Sequence, residues 1–97
     1  MEIKQEEHHG AGVFYLENEG KRMGEMRYLI RHGVMNIYHT EVDPSLKGRN
    51  MGFKLVEAGV NYARQIDTKV LPTCPFAHSV FERTEAFRDV LADIDSP

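Results

Sequence analysis

Hydrophobic positions follow two periods along this chain, and the switch between them marks the change of element. Up to Val42 the chain reads as strands, most plainly where apolar residues alternate with polar ones, the period of a half-buried strand. Three strand-like runs occupy this part: Val13 to Glu17, Arg22 to Arg31 and Val34 to Val42. In the second, Gly24, Met26, Tyr28 and Ile30 share one face, and Glu25, Arg27 and Arg31 the other; Leu29 breaks the alternation. Asn18-Glu19-Gly20-Lys21 and His32-Gly33 read as tight hairpin turns, so the runs predict an antiparallel meander. From Met51 the spacing becomes helical. Met51, Leu55, Ala58, Tyr62, Ala63 and Ile66 form one stripe, predicting a helix over about 50–66. Its opposite face carries Lys54, Glu57, Asn61 and Arg64, of mixed sign, so the stripe is core rather than a membrane surface.

Punctuation fills in the rest. Pro44 lacks a ladder donor and stops the third strand. A loop at 44–49 feeds the helix, and Asp67-Thr68 ends it. Lys69 to Pro72 reads as a fourth strand, parallel to its partner by a right-handed crossover. Pro75 suits a first helical turn, so a shorter helix is expected to about Arg83; Phe87, Val90 and Leu91 suggest a last apolar turn of helix. Residues 1–11, closed by Gly10-Ala11-Gly12, read as a loosely ordered lead-in, and Asp93 to Pro97 as a tail. The order β-β-β-α-β-α predicts an α+β fold: one mixed, mostly antiparallel sheet with two helices, in a single domain over 1–97.

Composition narrows the function classes. The chain has 97 residues, 41% hydrophobic and 28% charged, as ordinary soluble domains do. No apolar run reaches the roughly 20 residues that span a bilayer. The polar stretch from Met1 to His9 is no secretory signal, so a cytoplasmic protein is the expectation. A net charge of −3 argues against general nucleic-acid binding. The lone Cys74 excludes an internal disulfide framework and a thiolate zinc cage. The histidines show no metal-ligand spacing, so no metal is expected.

Against the acidic average, Lys47, Arg49 and Lys54 gather around the loop before the helix. A solvated surface loop would explain them. So would an anion site, because Val42 to Gly52 runs from a strand end through a glycine-containing loop into a helix N-terminus, where free N–H groups and the helix dipole favour phosphate. Neither a Walker loop nor a dinucleotide fingerprint is present. The spacing resembles the Gln/Arg-x-x-Gly-x-Gly/Ala pyrophosphate loop of the GNAT acetyltransferase superfamily, with Lys47, Asn50 and Gly52 at the three defining positions. Lys47 keeps the charge without the planar fork. Asn50 stands where glycine is usual, and asparagine best tolerates a left-handed backbone.

Further segments narrow the resemblance. His39-Thr40-Glu41-Val42 precedes the loop, Leu55-Val56-Glu57-Ala58 opens the helix and Asn61-Tyr62-Ala63-Arg64 closes it. Lys69-Val70-Leu71-Pro72-Thr73-Cys74-Pro75-Phe76 follows. Together, over roughly residues 12–91, they resemble a small GNAT-like family of stand-alone N-acetyltransferase domain-containing proteins. Thr84-Glu85-Ala86-Phe87 departs from that family's usual His-Pro-Glu-Tyr. The resemblance implies a minimal GNAT-like fold that binds acetyl-CoA or CoA. Glu41 and Val42 would pair with the pantetheine arm through their backbone. Lys47, Gly48, Arg49, Asn50, Met51 and Gly52 would hold the pyrophosphate, and Cys74 would lie near the thioester.

Acetyl transfer to an amine needs a proton acceptor and donors for the oxyanion. Cys74, at a possible helix N-terminus, reads as a covalent carrier, an acid, a cofactor contact or simply a small buried residue. His39 and Glu41 share a strand face, and either could act as base through water; a sheet histidine and a solvated carboxylate are the plain alternatives. His78 could reach Cys74 if both lay on one helix. Three functions therefore stand: an N-acetyltransferase acting on an unknown amine (a small molecule or a protein lysine), a CoA- or acyl-CoA-binding module without turnover, and an interaction domain that binds no nucleotide.

Overall fold

The computed structural model describes residues 1–92; the expected tail at 93–97 lies outside the described residues. Its elements run β1 (Glu2–His8), β2 (Ala11–Asn18), β3 (Lys21–Arg31), β4 (Val34–Val42), a 3-10 turn (Pro44–Leu46), α1 (Met51–Gln65), β5 (Lys69–Pro72), α2 (Pro75–Arg83) and a 3-10 segment (Glu85–Val90). The five strands form one sheet in the order β1-β2-β3-β4-β5. Successive pairs are antiparallel up to β4, and β4–β5 is parallel, crossing over through α1 as expected. The α+β class and the mixed sheet are as the pattern foretold.

The first residues are a correction. The stretch expected to be a loose lead-in is β1, paired with β2 from Glu2↔Glu17 to His8↔Ala11. It escapes pattern reading because, as an edge strand, it is exposed along nearly its whole length and only Ile3 is apolar. Its turn was nonetheless written in the chain. His9-Gly10, Glu19-Gly20 and His32-Gly33 all have positive φ at both positions (52° and 83°, 51° and 78°, 51° and 76°), which is the type I′ geometry that matches strand twist. A second correction concerns the C-terminal side, where the expected last helical turn is a 3-10 segment.

β1 is held by a polar knot. Gln5 Nε2 donates to Tyr28 Oη (2.8 Å), Tyr28 Oη donates to Glu7 Oε1 (2.7 Å), and Tyr62 Oη from α1 donates to the same oxygen (2.9 Å). Gly12 makes room: a Cβ there would sit 2.3 Å from the Tyr28 ring.

One face of the sheet carries the core. Leu55, Val56, Val60 and Ala63 of α1 pack with Phe14, Leu16, Met26, Tyr28, Met35 and Ile37 of the strands, and Ala77, Val80, Phe81, Phe87 and Val90 complete the cluster. Burying each large side chain contributes roughly 1.5–3 kcal/mol. On the other face Val13 and Tyr15 are also buried, beneath long charged side chains. The Arg22 guanidinium lies 3.8 Å from the Tyr15 ring centre, and Arg27 Nε donates to Glu25 Oε2 at 2.6 Å. None of the described helices is long and apolar enough to cross a membrane.

Candidate functional site

The site begins where β4 and β5 part. Their pairing covers only Val34↔Lys69 to Ile37↔Pro72. Thr73 N and Cys74 N both donate to Ile37 O at 3.0 Å, and beyond that point β5 has ended. A bulge at the same level, where Arg27 opposes His39 and Tyr28 opposes Ile37, leaves Tyr38 as the extra residue on β4. The remainder of β4 therefore has one paired edge and one open edge. Asp43 N donates to Met23 O (2.8 Å), so by antiparallel alternation His39 and Glu41 bond toward β3. The N–H and C=O groups of Thr40 and Val42 face the open side.

The chain next turns into the loop. Asp43 caps the 3-10 turn by accepting from Ser45 N at 2.9 Å, and this backbone donor, with the Ser45 hydroxyl, holds the Asp43 carboxyl below its ordinary range. Buried Leu46 anchors the turn in the core. Gly48 (φ 83°) and Asn50 (φ 60°, ψ 26°) then take left-handed conformations. Asn50 thus does at this position what glycine would do. Its side chain does not cap α1, and no acidic residue sits in the first turn, so the leading N–H groups of the helix are unclaimed by side chains.

These parts enclose a cleft of about 540 Å³. Thr40, Glu41 and Val42 form one wall, the loop and first turn of α1 form the floor, and Phe76 and Arg83 of α2 form the far wall. Gly52 lets the floor meet that wall: a Cβ there would lie 2.7 Å from Phe76 Cζ.

A family model described as GCN5-related N-acetyl-transferase matches residues 13–90. The chain belongs to the GCN5-related N-acetyltransferase family. Among solved structures it is similar to a GCN5-like protein of Staphylococcus aureus, with 33% identity and a TM-score of 0.74, over 96% of this chain and 89% of the other. The ribosomal-protein-S18-alanine N-acetyltransferase of Escherichia coli shares the fold at 15% identity and a TM-score of 0.67, over 78% of this chain; the chain spans about half of that enzyme (52%). An aminoglycoside N-acetyltransferase solved in complex with CoA shares it at 18% identity and a TM-score of 0.62, over 75% of this chain and 65% of the other. No curated protein matches the chain.

Most of the residues singled out in the sequence converge on this family fold's cleft. Glu41, Val42, Lys47, Gly48, Asn50, Met51 and Gly52 line it; Arg49, in the same loop, does not. Cys74 stands behind the wall. It is the N-cap of α2, is buried, and lies 3.5 Å from Thr40 Oγ1, the acceptor of its thiol proton. Burial pushes the Cys74 thiol up, but the Thr40 hydroxyl and the N–H groups of Ala77 and Phe76 outweigh it and leave the pKa below the ordinary thiol value.

His39 and Glu41 meet as alternation predicts, with Nε2 3.0 Å from Oε1, both solvent-exposed. Glu25 joins them across the β3–β4 pair, the three ligand-capable groups lying within 4.8 Å of one another. Arg27 and Arg22 already compensate Glu25, so the cluster reads as an ion-pair network. His78 does not join Cys74; its imidazole pairs with Glu82 at 3.3 Å, one turn on.

Sequence reading missed Phe76 and Arg83. They lie seven residues apart, two turns along one helix face, and that spacing was the available signal. Only the packing of α2 against the start of α1 reveals that this face looks into the cleft.

Proposed function

We propose that the protein binds acetyl-CoA in this cleft and transfers the acetyl group to an amine. The open edge of β4, ending beside the uncapped N-terminus of α1, carries the reading. An extended pantetheine arm, with its amide groups, can pair with Thr40 and Val42 as a missing strand would. Its pyrophosphate then reaches the first-turn N–H groups of α1, with Lys47 adding a charge-assisted contact. Family membership and a fold neighbour solved with CoA support the choice of ligand.

The thioester then lies near the bulge at Tyr38 and His39. A neutral amine attacks the acetyl carbon, the carbonyl oxygen gains the charge, and the C–S bond breaks with the proton passing to the departing sulfur. His39, oriented by Glu41, takes the amine proton through water and returns it, again through water, to the departing sulfur. Cys74, behind Thr40, backs the wall, and transfer is direct. A second reading, a CoA-binding module without turnover, is favoured by the exposure of that dyad, which places the proposed base in solvent.

Calorimetric titration with acetyl-CoA, with desulfo-CoA as the control, tests the proposal. Stoichiometric, salt-sensitive binding is expected, and product formation with an amine panel separates enzyme from binder. Absence of heat at high ligand concentration would refute both readings.

A further inference from the structure

Arg83 is the one cation on the far wall of the cleft, and the loop chemistry does not use it. It closes α2, lines the cleft, and donates from Nη1 to Ser79 Oγ at 3.1 Å. Among the described residues neither Arg83 nor Lys47 has a carboxylate within ion-pair distance. The cleft of a chain with net charge −3 thus presents cations on two sides, with Glu41 the only lining carboxylate among the described residues. Two separate cationic positions suit a ligand that carries two separate anionic groups.

Phe76 sets their spacing. Its ring edge lies 2.7 Å from the place of a Gly52 Cβ, in the first turn of α1, and the Arg83 guanidinium carbon lies 6.0 Å from its ring centre. The guanidinium and the first turn of α1 therefore flank the same ring. One nucleotide, with phosphates at its 5′ and 3′ positions, can reach both. Resting on the CoA reading above, we infer that Arg83 binds the ribose 3′-phosphate, so that the cleft selects CoA over dephospho-CoA. The pyrophosphate is served by the backbone N–H groups and Lys47. A phosphate monoester, with more charge than a bridging phosphate, suits the planar fork of arginine. Ser79 holds that fork over the cleft.

Arg83 is exposed, so its replacement leaves the core untouched. The test is calorimetry with CoA and with dephospho-CoA, at one salt concentration, on wild type, Arg83→Ala and Arg83→Lys. Wild type should prefer CoA by about tenfold, the scale of one charge-assisted contact. Arg83→Ala should lose that preference by weakening CoA alone, and Arg83→Lys should keep part of it. Equal weakening of both ligands by Arg83→Ala would mean that Arg83 touches the pyrophosphate, and would overturn the inference. So would a wild type that binds both alike. A wild type that binds neither refutes the cofactor reading itself, an outcome distinct from bound CoA without discrimination.

Discussion

Lys47 and Cys74 show how differently a residue can be legible. Lys47 stands in a loop that read either as a solvated surface loop or as an anion site, and the fold brings it to the floor of the cleft. Its exposed side chain supports nothing in the core, so Lys47→Glu should raise the CoA dissociation constant about tenfold or more while the thermal midpoint stays where it is. An unchanged affinity would remove the loop from the site. Cys74 also drew notice, but its chemistry depends on distance from the reacting atoms, which no spacing encodes. Buried behind Thr40, it should be dispensable for the cofactor. Cys74→Ala is expected to bind CoA as wild type does. Mass spectrometry of wild type after incubation with acetyl-CoA should show no acetyl adduct on Cys74; a stable adduct would establish a covalent route. Asn50 is the most instructive position: its tolerance of left-handed backbone was readable in isolation, and its φ of 60° is what turns the chain into α1.

At the scale of elements, hairpins and the main helix followed from period and turn chemistry. β1 did not, because an edge strand with solvent on most of its length has no period to show. Long-range side chains define it: Gln5 and Glu7 reach Tyr28 and Tyr62, far along the chain. Gly12 is the weak point of that arrangement. Gly12→Ala drives a methyl into the Tyr28 ring and should cost about 1–3 kcal/mol by overpacking, read as a lower urea midpoint. A midpoint equal to wild type would show that Tyr28 can shift without loosening β1. α2 is the converse case. Its existence was expected from Pro75, but its functional face was not, since Phe76 and Arg83 acquire meaning only from what they pack against.

For the whole molecule, the buried tyrosine sets an alkaline limit. Burial raises the Tyr28 pKa well above the ordinary 10.0; Gln5 donates against this, while Glu7 as acceptor adds to it. The folded state therefore holds the phenolic proton more tightly than the unfolded chain does. That stabilising contribution is complete below the unfolded pKa and is lost as pH rises through the native one. Stability should fall steadily above pH 10.0, the onset set by the unfolded tyrosine. Tyr28→Phe, though less stable at neutral pH, should show a shallower fall. Urea unfolding at a series of alkaline pH values reads this directly, and parallel slopes for the two proteins would exclude Tyr28 as the source.

What the sequence determined by itself is local. Alternation, helical spacing, X-Gly turns and Pro44 are short-range facts, and they were enough for the α+β layout, the meander and the loop that opens α1, because each rests on backbone sterics and on which side of one element is apolar. Tertiary structure alone decided the site. The cleft exists because β4 outruns β5 beyond Ile37, a bulge re-aims Tyr38, and α2 closes the far side. Strand length difference, bulge and helix docking are each settled by packing between segments distant in the chain, where no single stretch of residues carries the information.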